Sequence, residues 1–541
     1  MVNQNGHRET GNDQRAEEEE VSEPSKASKI RLYYSGPVPL PRWETWMYIS
    51  GWVGAVSFCY YAVYEASKQY ANEFDRSSFV DGWKILGGRK DVSNFEWIFW
   101  STLFFQLWKI IAGHMLIGQL CRLSPDLNRW RGDIFLVYGV CALTLLIGPW
   151  ACGVFVVQSL LFYAASLSCN SICIWILSIA LIFINNNRTI NEKMENLNWD
   201  KNFRHGYFMI TADFAMNIIR GTGAALSLAE SKSWLSKGHF ACVKDVLLYM
   251  FYIPLFFCGP LVNFEDFCKQ MSKPVVPFSR EVKTSMIKRL LRIVIWWFVI
   301  NIFLHLFHIT ALQKSHHVMS RLRLWALAGV GFCQGQFFMQ KYFIMFGLPS
   351  LIASLDDIIA PSFPKCISRI YLFSEMWKSF DHGLYNFIKS HIYIPLGGSR
   401  KGAFRQLLAS FLCFAFIYLW HGATRSLLFW ALLNHAGIVA EVLGTKLTQM
   451  KFVQQMEEEY LGLRNSRRIR ALFGIPMFCL SAMATFYFFG GSFMAQTIYR
   501  RLLFEGFPLS NLALVIFVYC LVQTSMEVQI WEAKKAGQKS L

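Results

Sequence analysis

The sequence predicts an all-α polytopic membrane protein, and three observations carry that reading. Hydrophobic residues make up 54% of the 541-residue chain and charged residues 16%, where a soluble domain carries about 25% charged. Aromatic residues reach 16%, 48 of them Phe. Apolar runs recur from residue 45 to residue 527, and several exceed the roughly 20 residues that cross hydrocarbon as a helix.

The elements follow in chain order. Residues 1–40 are polar, with an acidic run at Glu17–Glu20, and read as a disordered N-terminal tail. They show neither a cleavable signal pattern nor a myristoylation pattern. Candidate spans fall at 45–66, 95–118, 134–165, 171–186, 243–264, 289–312, 322–346, 404–422, 426–444, 471–491 and 507–527. They make about 10 to 12 crossings in one membrane domain over residues 41–530. The 134–165 run is long enough for a broken or paired helix. Residues 531–541 read as a polar C-terminal tail.

Net charge is +17, and the cations sit mostly between apolar runs. Residues 266–292 and the stretch RNSRRIR at 464–470 are expected on the cytosolic side by positive-inside counting. Residues 280–292 also read as an amphipathic helix on the membrane face. Attraction to anionic lipid accounts for such a surplus. No basic tract alternates with aromatics in a soluble domain, which argues against nucleic acid. The 14 Cys form no CxxC pair, so neither a disulfide framework nor a zinc site is expected.

Residues 351–405 break the pattern. Pro361 and Pro364 bound them on one side, Pro395, Gly397 and Gly398 on the other. Between lie apolar residues at helical period (Ile370, Phe373, Phe380, Leu384, Phe387, Ile388), opposed by Glu375, Lys378, Asp381 and Lys389. This predicts an amphipathic helix or helix pair, half in the membrane or lining a cavity. Forty residues beyond Asp381 the apolar run IYLWHGATRSLLFW (417–430) carries His421 between Trp420 and Gly422. A membrane histidine is either a structural donor or a general base oriented by a carboxylate. Cys366, in FPKCIS, reads as a buried thiol or an interfacial palmitoylation site. GGSRKG (397–402) lacks P-loop spacing; Arg400 and Lys401 suit either a cytosolic turn or an anion. His382, His391 and His435 read as interfacial or packing histidines, with Asn434 and Glu441 as further candidates for the cavity wall.

MWKSFDHGLYNFIKSHIYIPLGGS (376–399) followed by WHGA (420–423), with the Gly-Pro of YIPLFFCGPLVNFEDF (252–267) upstream, resembles the membrane-bound O-acyltransferases. The resemblance is clear over about residues 240–445. It implies a bundle with re-entrant or amphipathic pieces enclosing a tunnel. His421 and Asp381 would stand at the catalytic centre, with Trp420, Gly422, His382, Asn434, Arg400 and Lys401 in the substrate-binding surroundings. Most branches carry Asn at the position of Asp381; the branch acting on hedgehog-type secreted proteins carries Asp. A related non-catalytic branch lacks the histidine. The resemblance therefore implies palmitoyl-CoA as donor, the N-terminal Cys of a hedgehog-type protein as acceptor, and residence in the endoplasmic reticulum or Golgi membrane. It also implies haem b, with Cys366 as iron ligand. Other readings are transfer to a lipid hydroxyl or a Ser peptide, a transporter using His421 and Asp381 as a relay, and a scaffold that binds an acylated partner. The absence of a visible inverted repeat counts against the transporter.

Overall fold

Apolar helices account for nearly all of the structure, a computed structural model that describes residues 37–195, 206–257 and 259–539. In chain order the principal helices are α1 (Arg42–Gln69), α2 (Phe95–Leu123), α3 (Arg131–Leu167), α4 (Ser171–Asn185), α5 (Gly206–Ser231), α6 (His239–Phe251), α7 (Arg280–Leu306) and α8 (Leu324–Leu355). They continue with α9 (Phe373–Phe380), α10 (His382–Ile388), α11 (Gly402–Trp420), α12 (Arg425–Thr448), α13 (Gly462–Phe504) and α14 (Leu509–Lys539). One short hairpin, β1 (Phe79–Asp81) with β2 (Arg89–Asp91), is the sheet among the described residues.

Seven of the described helical stretches are long and apolar enough to cross a membrane, fewer than the sequence suggests. They comprise α2, α3, α8, the stretch ending in α11, α12, the stretch containing α13, and α14. The difference is local. The 171–186 run forms only the 15-residue α4, and the 243–264 run is interrupted at Tyr252. Helices α1 and α7 are 28 and 27 residues long, but charged residues occupy both ends of α1 and the first half of α7. The expected break in 134–165 is present: α3 leaves helical geometry at Gly148 (φ 85°), just before Pro149. Helix α13 breaks likewise at Gly491 (φ 70°).

Two basic segments are helical. Residues 280–292 are the opening turns of α7, continuous with its apolar half and N-capped by Ser279. RNSRRIR lies inside α13, not in a loop, and three of its four arginines are paired. Arg467 is buried, with its guanidinium on Gln523, Glu527 and the Val38 carbonyl. Arg468 holds Glu44, and Arg470 holds Glu457. Counting charges cannot separate a free arginine from one that ties α13 to its neighbours. Of the expected N-terminal tail, residues 1–36 lie outside the described part. Leu40 is buried with Tyr48 and Cys520. At the other end, α14 continues in helical form through Lys539.

The bundle is built from pairs: α1 against α8 and α14, α3 against α5 and α6, α11 against α12, and α12 against α13. One apolar core joins α2, α3, α6 and the Ile253–Phe257 segment. A second joins α1, α7 and α8. A third joins α4, α5, α10, α11 and α12 and holds the site described next.

Candidate active site

His421 ends a helix rather than lying inside one. Its backbone N–H donates to Ile417 O at 3.0 Å, closing α11. Gly422 (φ 107°) and Ala423 (φ 54°) then take left-handed backbone, which glycine adopts at no steric cost. Thr424 Oγ1 accepts from Leu427 N–H and starts α12. Two bonds pin the turn: Tyr418 OH donates to Ala423 O at 3.0 Å, and Asn186 Nδ2 to Leu419 O at 2.7 Å. The half-buried imidazole meets three aromatic rings, Trp420 at 4.6 Å, Phe488 at 5.3 Å and Trp430 at 5.6 Å. Among the described residues no side chain hydrogen-bonds it.

Asp381 is also at a break. It separates α9 from α10, confirming a helix pair, and its Oδ1 accepts Leu384 N–H at 2.9 Å as N-cap of α10. Preceding Phe380 stacks on Phe338 at 5.1 Å; Phe338 contacts Phe488 at 5.8 Å, and Phe488 contacts His421. His421 and Phe380, the residue before Asp381, thus belong to one aromatic cluster. The upstream Gly-Pro element supports it from below. A Cβ on Gly383 would stand 2.4 Å from Leu261 O and 2.9 Å from Leu261 N, so only glycine lets the two backbones meet.

The remaining sequence candidates divide. Trp420 donates its indole N–H to Ala215 O on α5 at 2.9 Å, and Gly422 shapes the turn; both hold His421 in place. Asn434 is buried with both ends of its amide used: Oδ1 accepts from Trp377 Nε1 at 3.1 Å, and Nδ2 donates to Trp430 O at 2.8 Å. It braces α9 rather than facing substrate, as does Glu441, which accepts from Ser374 N–H and Oγ–H. His382 opens α10, half-buried beside Asp381. His391 packs on Phe387, and His435 lies 3.4 Å from Ser410 Oγ between α11 and α12. The turn at 422–423 interrupts any helical stacking of His435 under His421. Arg400 and Lys401 are exposed in the turn before α11, with no carboxylate partner among the described residues.

Cys366 is exposed, its Sγ 3.1 Å from Ser368 Oγ. The next residues, Ile367 and Ser368, line a 220 Å³ apolar cavity with Trp52, Cys59, Phe332 and Phe486. No group of three or more His, Cys, Asp or Glu gathers among the described residues. Cys366 adjoins that cavity in sequence without lining it; a cysteine sulfur is a donor of the kind haem iron accepts.

One constellation escaped the sequence reading. Lys341, in the middle of α8 and 3% exposed, pairs with Glu96 in the first turn of α2; Tyr342 OH donates to Glu96 Oε1 at 2.6 Å. Tyr342 packs on Phe380 at 5.8 Å. A lysine inside a candidate span was the available signal.

A helical membrane bundle with a polar centre closed in by aromatics suits reactions of acyl chains. The family described as membrane-bound O-acyltransferase matches residues 159–484. The chain belongs to that family and is an acyltransferase. It is 28% identical over 490 residues to the protein-cysteine N-palmitoyltransferase HHAT of Mus musculus, covering 89% of this chain and 97% of the relative. It is 29% identical over 500 residues to the mouse HHAT-like protein (90% and 95% covered). The third relative, the protein-cysteine N-palmitoyltransferase Rasp of Drosophila melanogaster, is 27% identical over 493 residues (90% and 95%).

Proposed function

We propose that this multi-pass protein moves a palmitoyl group from palmitoyl-CoA to the N-terminal Cys amine of a hedgehog-type secreted protein, in the endoplasmic reticulum membrane. The observation that carries the reading is the aromatic cluster shared by His421 and Phe380, the residue before Asp381, at two helix breaks. The near full-length similarity to two protein-cysteine N-palmitoyltransferases supports the reaction class, and Asp in place of Asn at 381 supports the acceptor.

The thioester is already activated, so the protein's work is deprotonation, orientation and exclusion of water. The acceptor nitrogen attacks the thioester carbonyl; a C–N bond forms and the C–S bond breaks. His421 takes the proton from the attacking amine and returns it to the departing CoA thiolate. Asp381 keeps one carboxylate oxygen on its helix cap and turns the other to the imidazole or the incoming ammonium. Arg400 and Lys401, exposed and unpaired before α11, attract the CoA phosphates. Cys366 would hold haem iron through its thiolate beside the 220 Å³ cavity. Haem held there would be structural and would supply no step of the transfer.

The test uses purified full-length protein, radiolabelled palmitoyl-CoA and a short peptide beginning with Cys, free or N-acetylated. Label confined to the free-amine peptide and lost in His421→Ala establishes the reading. Label reaching only a lipid or a Ser peptide replaces the acceptor, and no transfer to any acceptor overturns the reading.

A further inference from the structure

The β1–β2 hairpin carries an apolar tip on a stem built to hold it still. Phe79 pairs with Asp91, Val80 with Lys90 and Asp81 with Arg89. Leu86 N–H and Gly87 N–H both donate to Trp83 O at 2.9 Å, and Gly82 N–H to Gly88 O at 3.0 Å. The stem is tied into the bundle at three points. Trp83 N–H donates to His305 Nε2 at 2.8 Å, and Lys90 Nζ to Asn301 Oδ1. Buried Asp91 accepts the N–H groups of Thr310 and Ala311 on Oδ2, both at 3.1 Å. Beyond these ties Ile85 stands 97% exposed, with Leu86 and Val80 exposed beside it. A turn facing only water would carry polar residues there.

The position of the tip says what covers it. The Trp83 ring lies 6.3 Å from Trp297 and 6.0 Å from Phe298 on α7. On the same stretch of α7, Ile295, Phe298 and Ile302 are exposed, an outward apolar surface of the kind lipid covers in a membrane protein. The tip continues that surface at its end. Lys84 and Arg89, both exposed, flank the apolar pair, and paired tryptophans with flanking cations are the composition of a headgroup boundary.

We propose that the hairpin tip is seated in the bilayer interface, with Ile85 and Leu86 in the acyl boundary beside α7 and Lys84 and Arg89 on lipid phosphates. The anchor bears on the site through the chain that follows. Asn94, three residues after β2, caps α2 by accepting Trp97 N–H at 2.9 Å, and Glu96 stands in that first turn. A tip held at fixed depth holds the Glu96 end of α2 at fixed depth against the aromatic cluster.

The experiment places the photoreactive residue p-benzoylphenylalanine at position 85 of the full-length protein. The protein is incorporated in vesicles of phosphatidylcholine with a minor share of phosphatidylglycerol, both radiolabelled. Ile85 touches no packed neighbour, so the replacement leaves the fold alone, and the readout needs no turnover. Position 295 serves as the lipid-facing comparator and position 76, in the polar turn Arg76–Ser78, as the water-facing one. Lipid adducts at 85 several-fold above those at 76 and approaching those at 295 are expected. Adducts no more frequent than at 76, or adducts at 85 to a second copy or to added acceptor peptide in place of lipid, overturn the anchor.

Discussion

His421 and Asp381 are each a helix terminus and a polar group at once, and their two duties separate by substitution. His421→Ala removes the ring but keeps the backbone bond to Ile417. We expect transfer to fall by about 10²–10⁴-fold with little change in thermal midpoint, measured by label transfer and by unfolding of the same preparation. Asp381→Asn keeps an acceptor for Leu384 N–H, whereas Asp381→Ala loses the cap, worth about 1 kcal/mol. Both variants should lose transfer, and only the alanine should also lower the midpoint. If Asn retains full activity, the carboxylate is a cap and nothing more. Cys366→Ala should remove any haem absorption band from the purified protein while leaving the polypeptide folded.

At the scale of elements, two close approaches hold the candidate catalytic segment. A methyl group on Gly383 would collide with the Leu261 backbone, which cannot swing aside as a side chain can. Gly383→Ala is expected to cost about 1–3 kcal/mol and to reduce transfer. Trp420→Phe keeps the ring surface but drops the bond to Ala215 O, and should cost about 1 kcal/mol, read as a lowered midpoint. Much of this was legible in the sequence. Prolines, glycines and the 3.6-residue period of Ile370, Phe373, Phe380 and Phe387 bounded the helix pair, and the length of the 134–165 run announced its break at Gly148. The meeting of Leu261 with Gly383 was not, because nothing local to either residue specifies a contact across 122 positions. The bracing role of Asn434 was hidden for the same reason: its partner Trp377 lies on another helix.

Across the whole molecule, buried charge links helices far apart in the chain. Lys341 and Glu96 join α8 to α2, and removing one partner strands the other. Lys341→Met is expected to lower the unfolding midpoint, because it strands a Glu96 that is only about a third exposed, and the double change with Glu96→Gln to lower it by less. Equal losses in the single and double variants, measured by denaturant or thermal unfolding in detergent, would show that the pair does not couple. The sequence displayed Lys341 and the Arg467 cluster as charges, without displaying whether each was paired. Pairing depends on which helix arrives opposite, and that is a property of the assembled bundle.

The most enclosed of these links joins the two halves of the chain. Buried Asp356, just past α8, accepts from His114 Nε2 at 2.8 Å and from Tyr252 OH at 2.5 Å, and its carbonyl accepts from Arg131 at 3.1 Å. His114 and Arg131 precede it by 242 and 225 residues. During synthesis both leave the ribosome long before their acceptor exists. Arg131 meets the carbonyls of Gln270, Met271 and Lys273 well before that, but helix α2 must hold His114 in the membrane without its carboxylate until the chain passes position 356. A nascent chain stopped at 350 should remain open to protease near α2, and one stopped past 360 should close. Maturation of the amino-terminal half is then timed by a residue two-thirds of the way along the message.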